Sequence, residues 1–121
     1  MMKNYINKLA TKDFDCCNLA ALWLRNEMGI NTSDWDSVSR DYDINDEYNY
    51  IHTYMLTTGN MVEIQGAYQK GDIILYSKGV RTCTATCIDD KVALILERRS
   101  KLIQIDRIKN IRCHLRHKSL L

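Results

Sequence analysis

The hydrophobic pattern of this chain changes period at Gly59, and that change constrains its fold more than any other feature. Before it, apolar residues recur at three- and four-residue spacing. After it they come in short runs rich in Ile, Val, Leu and Thr. In the first part, Asp15 is a good helix N-cap, Leu19, Leu22, Trp23 and Asn26 follow on a helical repeat, and Gly29 stops the run. A second helix is expected in "INDEYNYIHTYMLTTGN", with Ile44, Tyr48, Ile51 and Met55 on one face and Gly59 at its end. The runs "KGDIILYSKG", "VRTCTATCID", "KVALILE", "KLIQID" and "NIRCHLRH" then read as strands of an antiparallel meander. Helices first and strands after define an α+β domain, with N-terminal helices packed on a small antiparallel sheet.

A length of 121 residues suits one domain spanning 1–121, in which residues 1–12 are expected to be a flexible polar lead-in. Residues 31–46 read as a turn-rich acidic connector. No apolar run approaches the roughly 18–20 residues that cross a bilayer, and the first residues lack the apolar centre of a signal peptide. The expectation is a protein made in a cytosol, without a membrane span. Five cysteines, two of them adjacent, do not suggest a disulfide framework, so reduced thiols are expected.

The net charge of +2 hides an asymmetry. Residues 31–63 carry Asp34, Asp36, Asp41, Asp43, Asp46, Glu47 and Glu63 against Arg40 alone, whereas residues 91–121 carry nine Lys and Arg against Glu97 and Asp106. Such opposed segments suit docking onto a charged partner. Nucleic acid is not the expected partner, because no recognisable binding module or aromatic platform accompanies the basic end. Candidate partner-binding residues are Arg98, Arg99, Arg112 and Arg116, together with Trp35, an aromatic in a polar connector.

The stretch "DFDCCNLAALWL" places Cys16 and Cys17 at the start of the first helix. A free thiol has a pKa near ~8.5, and a helix N-terminus with a neighbouring imidazolium is what stabilises the thiolate. Cys16 has the first of these. The bland reading is that both cysteines are small buried residues in a first helical turn.

"FDCCNLAALWL" followed by "YQKGDIILYSKG" resembles the NlpC/P60 branch of the papain-like cysteine peptidases over roughly residues 10–117. In that family an aromatic-Asp-Cys motif opens a helix and a Gly-Asp strand begins the sheet, so the resemblance implies that Cys16 stands at the nucleophile position. It implies a histidine base at the start of the next strand. Aligning on Gly71-Asp72 puts Thr82 or Cys83 there, and "VALIL" where a third polar residue should orient the base. Thr82 cannot accept a proton at neutral pH. Asn18 stands where the family has a glycine.

Two readings follow. The first is a degenerate NlpC/P60-like domain, not an enzyme, that works as a structural or interaction protein. The resemblance then extends to tail-tip and tail-assembly components of long-tailed bacteriophages, implying protein partners in a tail assembly and incorporation into the virion. The second is an active peptidase or amidase acting on peptidoglycan, with Cys16 as nucleophile and His114 or His52 as an unconventional base. No cofactor is expected. Cys83, Cys87, Cys113, His114 and His117 have zinc-binding chemistry, but residues four apart on a strand lie roughly 13 Å from one another, so no metal site is assigned to them.

Overall fold

The computed structural model describes residues 2–37 and 42–121. Two helices, α1 (Cys16–Met28) and α2 (Glu47–Leu56), precede six strands: β1 (Met61–Ile64), β2 (Ile73–Lys78), β3 (Arg81–Cys87), β4 (Val92–Leu96), β5 (Ser100–Gln104) and β6 (Ile111–His117). The architecture is α+β. The middle of the acidic connector, residues 38–41, lies outside the described residues.

Local chemistry sets both ends of α1. Asp15 Oδ1 accepts from the N–H groups of Cys17 (3.0 Å) and Asn18 (3.1 Å), and Asn18 Oδ1 accepts from Asp15 N–H (2.9 Å), a reciprocal capping box. Asn18 is therefore the cap's second half. At the other end Gly29 adopts φ 66°, and its N–H donates to Leu24 O.

The second helix starts later than its apolar spacing predicts. Asp43 accepts from Asn45 N–H and caps a 3-10 turn, Ile44–Asp46, from which α2 continues. Ile51 and Met55 are buried, but Ile44 sits in that turn, out of phase with the helix, and is exposed. Glu47 points inward instead. Gly59 follows the helix where a Cβ would meet Met55 O at 2.7 Å, so that close approach requires glycine.

The sheet order is β1-β6-β2-β3-β4-β5, antiparallel throughout. Only β2 to β5 form the expected meander. β6 returns to the free side of β2, and the four-residue β1, which the sequence pattern does not reveal, pairs with β6. Alternation then distributes β2: Ile73 and Leu75 join Leu19, Trp23, Leu24 and Leu115 in the core under the helices. Ile74 and Tyr76 join Ala85, Cys87, Ala93 and Ile95 on the opposite face.

Two expectations are corrected by packing. Residues 2–10 do not trail free: Tyr5 is buried, its hydroxyl donates to Glu27 Oε2 at 2.7 Å, and Asn7 N–H, Lys8 O and Ala10 N–H bond the backbone of Ser100 and Arg98. Trp35, expected at a partner interface, is 4% exposed in the helix-side core. The Thr32 hydroxyl donates to Ala21 O at 3.0 Å and draws the connector onto α1, where the 3-10 turn Ser33–Ser37 carries the indole inward. Among the described residues no helix is long and apolar enough to cross a membrane.

Candidate functional site

The site forms where the sheet is incomplete. β3 pairs with β4 only over Ala85–Cys87. Upstream, the N–H groups of Thr82 and Thr84, two residues apart and so directed to the same side of the strand, end on side chains. Thr82 N–H donates to Glu47 Oε1 at 2.6 Å, and Thr84 N–H donates to Cys16 Sγ at 3.4 Å. The first residues of both helices thus stand in for a neighbouring strand. Between them lies a cavity of about 530 Å³ whose walls include Cys16, Cys17, Glu47, Thr82, Cys83 and Arg98.

Cys16 sits at the first position of α1, and donors converge on its sulfur. The thiols of Cys17 and Cys83 pull its pKa well below the ordinary thiol value; burial opposes them, and the Thr84 N–H adds to the lowering. Cys83 moves the opposite way: its bond to Cys16 and then its own burial raise its pKa. Burial by itself would raise the pKa of Glu47, yet the Arg81 guanidinium, the Tyr42 hydroxyl and the Thr82 N–H hold it below the usual carboxylate value. Arg81 reaches both oxygens, Nε to Oε1 and Nη2 to Oε2, each at 3.1 Å, and Tyr42 donates to Oε2 at 2.6 Å.

The residues singled out in the sequence divide cleanly. Thr82 and Cys83 line the same cavity as Cys16, and the Cys83 thiol reaches the Cys16 sulfur. Leu96 of β4 also lines the cleft, and neither it nor its neighbours Val92–Ile95 has a polar side chain. Among the described residues no histidine lines the cavity. His52 Nε2 is 2.9 Å from Glu63 Oε1 across α2 and β1. His114 is on the sheet's far face: it pairs in register with Ile74, packs on the Tyr68 ring at 4.4 Å and lies 3.8 Å from Asp72 Oδ2. The sheet therefore stands between His114 and Cys16. His117 Nδ1 accepts from Ser119 N–H in the turn after β6.

Of the candidate partner-binding arginines, Arg98 is exposed at the cleft wall, and Arg99 is exposed with Nη1 3.4 Å from Asn7 O. Arg112 is exposed over the Tyr48 ring at 3.9 Å. Arg116 belongs inside instead, because Nε and Nη2 bind the fully buried Asp72 carboxylate at 2.7 and 2.9 Å. That carboxylate must be compensated within the fold, and Arg116 is the cation that reaches it.

Cys87 packs on the far side of the sheet, Cys83 meets Cys16 at the cleft and Cys113 faces the helices, so among the described residues the zinc-type side chains of the C-terminal half do not converge. Among the described residues, one other group has donor atoms near enough to share a cation: His52, Glu63 and Cys113, all within 4.8 Å of one another. Sequence reasoning missed Glu47 altogether. Its one visible signal is an acidic residue early in an amphipathic helix, and its partner Arg81 lies 34 residues away. Compared with family models, curated proteins and solved structures, the chain matches none.

Proposed function

We propose that this chain is a non-catalytic interaction protein of papain-like, NlpC/P60-type plan, in which the nucleophile position survives and the base is gone. The observation that carries the reading is the neighbourhood of Cys16. The strand positions aligned with the family's base lie beside it, and they present Thr82, Cys83 and the Thr84 N–H instead of an imidazole. A hydrolase needs a group that takes a proton from the nucleophile and returns it to the leaving amine. A thiol that holds its proton above the ordinary range, as Cys83 does, is poorly suited to that shuttle. The setting this reading implies is the tail of a long-tailed bacteriophage, with a protein partner at the cleft rim, where Arg98 is exposed. The chain is then expected in tail-assembly intermediates.

A cysteine hydrolase acting on peptidoglycan is the second reading, and the lowered Cys16 pKa favours it. One experiment separates the two: purified protein and its Cys16→Ala variant are incubated with peptidoglycan and with short cell-wall peptides, and released products are measured. Equal, background-level release from both supports the non-catalytic reading. Release that depends on Cys16 overturns it.

A further inference from the structure

At the other end of the sheet, under α2, three side chains of different chemistry meet outside the thiol cleft. We propose that His52, Glu63 and Cys113 form a binding site for a borderline-soft divalent cation of the zinc class. The proposal is independent of what the cleft does.

Each ligand comes from a different element: His52 from α2, Glu63 from β1 and Cys113 from β6. Their donor atoms lie within 4.8 Å of one another, with His52 Nε2 and Glu63 Oε1 at 2.9 Å. Tetrahedral zinc with bonds of ~2.0–2.3 Å places its ligand atoms roughly 3.3–3.8 Å apart, so side-chain shifts of about 1 Å or less would seat the ion. The register supports the geometry, since Glu63 pairs with Leu115 and Cys113 lies two residues along on the same face.

The surroundings already orient the ligands. Tyr48, one helical turn before His52, donates its hydroxyl to Cys113 Sγ at 3.5 Å, and its ring stacks on the imidazole at 5.4 Å. Bonds of this kind to a ligating atom fix its position and tune its basicity. Arg112, over the Tyr48 ring at 3.9 Å, is a nearby cation that opposes a metal, while the Glu63 carboxylate and a Cys113 thiolate would together match a divalent charge. A nitrogen, oxygen and sulfur set suits zinc and poorly suits magnesium or calcium, which take oxygen ligands. His52 and Glu63 side chains are 25% and 40% exposed, so the ion has a route in from solvent.

The test uses the whole chain, stripped with a chelator and titrated with Zn²⁺. Native mass spectrometry is expected to find one ion per chain. Alkylation of each cysteine, resolved by peptide mass spectrometry, is expected to slow about tenfold or more at Cys113 on zinc addition, and little at Cys16 and Cys17. With Co²⁺, a thiolate-to-metal absorption band should appear, vanish in Cys113→Ser and persist in Cys83→Ser. The proposal is overturned if zinc does not bind, or if it protects Cys16, Cys17 or Cys83 instead of Cys113. The protection measurement is made on the unaltered protein, so a variant that fails to fold leaves the answer intact.

Discussion

The backbone N–H of Thr82 donates to Glu47 Oε1 at 2.6 Å, so a helix side chain accepts the bond that a neighbouring strand would otherwise take. Replacing Glu47 with Gln keeps the volume but removes one of two acceptors: Oε1, which Thr82 and Arg81 share, or Oε2, which Arg81 and Tyr42 share. The expected cost is about 1–3 kcal/mol, from donors left without a partner. Because the folded pKa lies below the unfolded one, the contribution is complete above the unfolded value and fades as pH falls through the folded value. Denaturant unfolding below about pH 4 should therefore weaken the parent more steeply than Glu47→Gln, and parallel curves would refute the role.

Cys16 is activated by thiols and a backbone N–H, with no imidazole in reach among the described residues. Its alkylation is expected to persist below the ordinary thiol range and to ignore replacement of His52, His114 or His117 by Ala. Cys83→Ala should shift the midpoint of the rate profile upward. A profile that instead collapses on losing one histidine would mean a thiolate–imidazole pair, which is not found among the described residues, and would overturn this account.

The Asp15 cap satisfies two N–H groups at the end of α1 that carries Cys16. Asp15→Ala should cost about 1 kcal/mol in urea unfolding. Asn18→Ala, which removes only the returning bond, should cost less, and the reverse order would dismiss the capping box.

Arg116→Ala leaves the Asp72 carboxylate buried with the Gln69 N–H as its remaining side-chain hydrogen bond. A loss of about 3–5 kcal/mol is expected. Arg98→Ala, on the surface, should stay within about 0.5 kcal/mol of the parent. Equal stabilities for the two variants would return Arg116 to the list of surface contacts.

Trp35→Ala empties part of the core between the connector and α1, and should cost about 3–5 kcal/mol. A change near zero, with partner binding lost, would restore the interface role read from sequence.

Local codes were the legible part of this chain. Asp15 and Gly29 bound α1 through bonds made within a few residues, and the β-branched runs of β2 to β6 announced strands. Alternation states which faces a strand buries, however, and not which strand lies beside it. That is why β6 returning to β2, and the short β1 beyond it, were invisible. Trp35 was misread for a related reason: its burial depends on Thr32 reaching Ala21, a contact no composition reveals. At the site, the place of Cys16 at the start of α1 was readable from the Asp15 cap beside it, while Glu47 and Arg81 meet only through the tertiary fold.

The bonds from Asn7, Lys8 and Ala10 to Ser100 and Arg98 have one more consequence. They lie along the outer side of the start of β5, the last strand of the sheet, where bare backbone would recruit strands from other copies. Arg99 and Lys101 add charge along the same border. Proteolytic trimming of the segment before Ala10 is thus expected to yield a chain that self-associates edge to edge, and not simply a shorter monomer.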